Sequence, residues 1–103
     1  MIDKIKSFNE NKSAHSKVMP VAARLLDVQS ELGELSKEYL KSTSYGTSNF
    51  ELTENFELEF GDVLYSLISL GLETGLDIEN AVDKILAKYQ KRLNEKKNMG
   101  SGR

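Results

Sequence analysis

Four carboxylates define the chemistry open to this chain. Glu31 and Glu34 stand three residues apart, and so do Glu59 and Asp62. In a helix that spacing projects both members of a pair from one face. Each acid also sits one residue ahead of an apolar side chain, respectively Leu32, Leu35, Phe60 and Val63. Both pairs therefore hold the same rotational position beside their apolar stripes. If the two helices fold back antiparallel, flanks of the same hand meet on one side of the pair. Heights agree as well, because the midpoints of Glu31 with Asp62 and of Glu34 with Glu59 both fall between Gly46 and Thr47. The spacing predicts Glu34 facing Glu59 and Glu31 facing Asp62.

Four acids crowded at a helix seam repel one another, and they protonate or part unless a cation sits among them. All-oxygen ligation suits Mg²⁺, with Mn²⁺ as the alternative, and Mg²⁺ in such sites keeps several waters and meets substrate phosphates. A di-iron bundle would need two Glu-x-x-His motifs, whereas the chain has one histidine, His15, read as a solvated loop residue. Asp27 and Glu38 extend the first acidic stripe by a turn each way, and Glu38 is the favoured auxiliary. The plainer alternative is that acids at this spacing are a solvated helix flank.

The elements that must carry these acids are helices. No period-two alternation is sustained anywhere, and one proline and several glycines punctuate helical stretches. Residues 2 to about 12 form a polar helical lead-in, and 13 to 19 a connection. A long helix starts near Pro20 and runs to about Lys41, with Val21, Leu25, Val28, Leu32, Leu35 and Tyr39 at alternating spacings of four and three. Ser42 to Thr47 is a loop, and Ser48 with Glu51 makes a capping-box pattern that predicts the start of the next helix. That helix is packed by Phe56, Phe60, Val63, Leu67 and Leu70 and ends near Gly75. Asp77 is the expected N-cap of a last helix reaching about Lys96, packed by Val82, Leu86, Tyr89 and Leu93. The expected architecture is all-α: an antiparallel hairpin with flanking helices, its bundle completed by oligomerisation. Residues 1–98 are read as one domain and 99–103 as a flexible tail.

Composition narrows the partners. The 103 residues include 14 Lys and Arg, 16 Asp and Glu and no cysteine, for a net charge of −2. That balance offers no broad basic surface for nucleic acid. Without cysteine there are no disulfides, thiolate zinc sites or thiol nucleophiles, which suits a reducing cytoplasm. The apolar run from Val63 to Leu72 is half a membrane span, and the charged start lacks the apolar run of a signal peptide, so no membrane partner and a cytoplasmic location are expected. A core this small favours self-association, as a homodimer or homotetramer.

Glu31-Leu32-Gly33-Glu34, then 24 residues, then Glu59-Phe60-Gly61-Asp62-Val63-Leu64 resembles the signature of the MazG-like all-α nucleoside triphosphate pyrophosphohydrolases. Gly75-Leu76-Asp77-Ile78-Glu79-Asn80-Ala81 is similar to the turn into that family's last helix, and Lys88-Tyr89-Gln90-Lys91-Arg92 to its closing element. Ser30 and Ile85 depart from the pattern, which often has Glu and Asn there. The resemblance implies that Glu31, Glu34, Glu59 and Asp62 are the catalytic acids and Mg²⁺ ligands, and that Lys88 and Arg92 hold the triphosphate. The latter two also fit a solvated helix C-terminus, which favours cations. The implied reaction cleaves an NTP or dNTP between the α- and β-phosphates, giving a monophosphate and pyrophosphate, in clearing the nucleotide pool. Two alternatives remain open at this level: a phosphoribosyl-ATP-type pyrophosphohydrolase, and a non-catalytic helical association module.

Overall fold

The computed structural model describes residues 1–13 and 19–101, and His15 lies outside them. Four helices follow one another: α1 (Ile2–Ser13), α2 (Val21–Ser42), α3 (Glu54–Glu73) and α4 (Ile78–Ser101). The fold is all-α. Pro20 stands just before α2 as its N-cap, its carbonyl accepting the Arg24 N–H at 2.9 Å. Proline suits that place because it has no N–H to leave unbonded. α2 and α3 pack along each other as the expected antiparallel hairpin, and α1 lies against α3 without touching α2. Asn9 secures α1, accepting from the Tyr65 hydroxyl and donating to Ser69 Oγ at 3.0 Å. Phe8 meets the Tyr65 ring edge-on at 5.9 Å.

The turn of the hairpin is locked by Thr43, which is fully buried. Its hydroxyl donates to the Tyr39 carbonyl at 2.9 Å and accepts the Gly46 N–H at 3.0 Å. Ser44, Tyr45 and Gly46 follow in left-handed conformation, with φ of 50°, 60° and 85°. The next helix does not open at Ser48. Its N-cap is Thr53, whose Oγ1 accepts the Phe56 N–H at 3.1 Å, so α3 begins five residues later than a Ser48 cap implies. Leaving residues 49–53 outside the helix lets the Phe50 ring stack on Tyr39 at 5.8 Å and meet Phe56 at 5.0 Å. That aromatic contact outweighs an early helix turn, which the capping-box pattern alone cannot register.

α3 ends in a Schellman motif: the Leu76 N–H reaches the Gly71 carbonyl at 3.0 Å, and the N–H of Gly75, at φ +78°, reaches that of Leu72 at 3.2 Å. Asp77 then caps α4 as expected, accepting the Asn80 N–H at 3.0 Å. The corner is tight, for a Cβ on Gly71 would lie 2.9 Å from Ile78 Cγ1. α4 reaches Ser101, past the expected end at Lys96, and Gly102 and Arg103 lie outside the described residues.

The apolar stripes are placed differently from expectation. Val21, Leu25, Leu32 and Tyr39 of α2, and Phe60 and Leu67 of α3, are exposed, while Val28, Leu35, Phe56, Val63 and Leu70 are half-buried. On α4 every residue from Val82 to Asn98 is exposed, so Val82, Leu86, Tyr89 and Leu93 are not buried among the described residues. The reason is geometric: α4 leaves α3 at the corner and runs clear of the hairpin. The radius of gyration is 18.4 Å, against ~13 Å for a closed domain of this length.

Candidate metal centre

One row of the hairpin formed by α2 and α3 is polar. On α2 it carries Arg24, Asp27 and Glu31, and on α3 Glu59, Asp62, Ser66 and Glu73. Spacings of three and four keep such residues on one helix face. The apolar stripes run beside this face on the same helices. Burying acids at a seam is unfavourable unless something compensates their charge.

Of the four acids that the spacing places on one side, the structure brings three together, Glu31, Glu59 and Asp62, without the Glu34 that was expected opposite Glu59. Each offers one carboxylate oxygen, and these oxygens all lie within 4.8 Å of one another. Glu31 and Glu59 are half-buried, and Asp62 opens to solvent. Partial burial, and then the fields of Asp62, Asp27, Glu59 and Glu34, push the Glu31 carboxyl above its ordinary value. The field that raises it is the field that attracts a cation. Three hard oxygens, partly desolvated and one side open, fit a divalent ion such as Mg²⁺ or Mn²⁺, with room for waters.

Glu34 stands outside this group. Its side chain is half exposed, and its Oε1 lies 3.8 Å from Lys37 Nζ. Glu38 is more buried, with Oε2 at 3.7 Å from Lys41 Nζ, and is likewise outside the group. Lys88 and Arg92 lie on the exposed stretch of α4, which does not touch α2 and meets α3 only slightly. The chain's own α4 therefore does not bring them to the acids.

Of the layer below the acids, sequence reasoning named Asp27 and missed Arg24, Ser66 and Glu73. Arg24 is buried among charges, with its Nη2 donating to Glu73 Oε1 at 3.1 Å and its Nε to Oε2 at 3.5 Å. Ser66 Oγ donates to Asp27 Oδ2 at 2.7 Å, so Asp27 is engaged here and is not part of the three-oxygen group. The signal was present, because Asp27 with Ser66 shares the hairpin midpoint of Glu31 with Asp62.

Residues 21–96 match the family model of the MazG nucleotide pyrophosphohydrolase domain. That span holds α2, α3 and most of α4, and with them all four motif acids. No curated protein and no solved structure matches the chain. No helix among the described residues is long and apolar enough to cross a membrane.

Proposed function

Because the chain belongs to the MazG nucleotide pyrophosphohydrolase family, we propose that it hydrolyses a nucleoside or deoxynucleoside triphosphate to the monophosphate and pyrophosphate, with Mg²⁺, or Mn²⁺ in its place. The observation that carries this reading is the convergence of the Glu31, Glu59 and Asp62 oxygens to within 4.8 Å across two helices. A divalent ion held there supplies charge neutralisation for the phosphates and makes water a better nucleophile near neutral pH.

The remaining work falls to the chain. Glu31, Glu59 and Asp62 hold the ion, and their placement on paired rigid helices aligns the triphosphate with the water. Glu34 completes the acidic set from the next turn. Standing outside the three-oxygen group, it is free to take the proton from the attacking water. Glu38 backs it one turn on. Lys88 and Arg92 bind the triphosphate, and because α4 leaves its own hairpin they act on the site of a second copy.

A homodimer or homotetramer follows from the same feature. Exposed Leu25, Leu32, Phe60 and Leu67 on the hairpin and Leu86, Tyr89 and Leu93 on α4 form apolar faces of the kind that oligomers cover. The net charge of −2 supports a free nucleotide over a polynucleotide as substrate. Housecleaning of the nucleotide pool in the cytoplasm is the role this chemistry suits, and residues 1–98 act as one unit.

The test is pyrophosphate release from a panel of canonical and modified NTPs and dNTPs with Mg²⁺ or Mn²⁺, for wild type beside Glu59→Ala. Metal-dependent release abolished by the substitution is the expected result. Metal binding without release from any panel member would redirect the assignment to a phosphoribosyl-ATP-type substrate. A folded chain that binds no metal would overturn the enzymatic reading in favour of an association module.

A further inference from the structure

One turn and two turns below Glu31, the seam carries a clamp. Arg24 is 5% exposed, and its guanidinium holds both carboxylate oxygens of Glu73 on the facing helix, at 3.1 and 3.5 Å. Its Nη1 also lies 3.6 Å from Asp27 Oδ2, the oxygen that accepts from Ser66 Oγ at 2.7 Å. One cation thus ties α2 to α3 and, with Ser66, occupies Asp27, the acid one turn before Glu31 on its own stripe.

The electrostatics of the seam give this clamp a task. Glu31, Glu59 and Asp62 face one another as three like charges, and their repulsion drives the helices apart or out of register. Arg24 and Glu73 pull in the opposite sense at the neighbouring layers. Asp27 is near enough for its field to act on Glu31. Were its Oδ2 released, Asp27 would compete for the same ion or add to the repulsion.

We infer that Arg24 is a positioning residue for the metal centre: through Glu73 it fixes the register of α3 on α2, and through Asp27 it withholds a further carboxylate from the ion, so that the Glu31, Glu59 and Asp62 oxygens stand ready for a cation. The inference rests on the metal-binding reading above. A lysine would keep the charge without the planar fork that grips two oxygens at once. Groups that orient ligands from behind typically change metal affinity about 10- to 100-fold when removed.

The test is Mn²⁺ affinity of the full chain, read from the electron paramagnetic resonance of free Mn²⁺, with thermal melting in EDTA recorded for each variant. Arg24→Met with Glu73→Gln removes both charges of the interhelical pair together, which avoids stranding Glu73 and leaves Asp27 to Ser66 alone. This double variant is expected to melt cooperatively in EDTA and to bind Mn²⁺ about 10-fold or more weakly. Arg24→Lys is expected between it and wild type. Ser66→Ala keeps the fork and releases one bond to Asp27, and decides the matter if the double variant is unfolded; its loss is expected at the lower end of the same range. Wild-type affinity in a folded double variant, or in Ser66→Ala where that variant decides, overturns the positioning role and leaves Arg24 a tie between helices. Absence of Mn²⁺ binding in the wild type is a different failure, since it removes the metal centre itself and this role with it.

Discussion

Glu31 bears the electrostatic consequence of the acidic seam, and its titration tests the site without substrate. Unfolding returns it to its ordinary value of 4.5, whereas burial and its acidic neighbours raise it in the folded chain. Between those two values the folded state binds the extra proton. Metal-free stability contributed by this group is therefore present below 4.5 and lost as pH rises through the raised value. Glu31→Gln should accordingly melt higher than wild type in EDTA at pH 7 and show a flatter dependence on pH above 4.5. Mn²⁺ should reverse the order by raising the wild-type melting temperature alone. A wild type more stable than Glu31→Gln in EDTA would contradict the repulsion. Asp62→Ala, exposed at the edge of the group, should shift unfolding in EDTA by no more than about 0.5 kcal/mol yet remove the Mn²⁺-induced rise in melting temperature. The convergence of acids from both helices was legible from spacing, because an i, i+3 pair fixes a face and a hairpin midpoint fixes height, although the spacing set Glu34 and not Glu31 opposite Glu59. The outward position of Glu34 was not, since its local partner Lys37 on the next turn competes for it. Arg24 was illegible for another reason: a lone cation on a helix looks solvated until the facing Glu73 is known.

At the scale of elements, the helix boundaries divide the stability. Thr53 caps α3, so Thr53→Ala should cost about 1 kcal/mol, read from the denaturant midpoint, while Ser48→Ala should stay within about 0.5 kcal/mol. Equal losses at both positions would argue for a helix beginning at Ser48. The end of α3 and the start of α4 were readable because Gly75 and Asp77 act through backbone geometry within a few residues of themselves. The start of α3 was not readable, because it depends on Phe50 reaching back to Tyr39 across the turn. A local capping pattern carries no information about such a contact.

At the scale of the molecule, the apolar stripes were legible but their use was not. Their period announced helices correctly, yet Leu25, Leu32, Phe60 and Leu67 are exposed, and the half-buried Val28, Leu35, Val63 and Leu70 share the hairpin with buried charged and hydroxyl side chains. A second copy covering these faces should appear as a dimer or tetramer in size-exclusion chromatography with light scattering. Leu86→Asp with Leu93→Asp should dissociate it, and a wild-type monomer at micromolar concentration would overturn the expectation. On the proposal that Lys88 and Arg92 serve a neighbouring copy, pyrophosphate release per chain should also fall on dilution through the dissociation midpoint. The placement of acids on one flank of each helix and apolar residues on the other has a consequence for how such a chain can change. Variation that changes the exposed apolar faces and variation that changes the acids fall on separate rows of the same two helices. Lineages, or a protein engineer, can therefore remodel the exposed apolar faces through Leu25, Leu32, Phe60 and Leu67 while Glu31 and Glu59, the neighbours of Leu32 and Phe60, stay as they are.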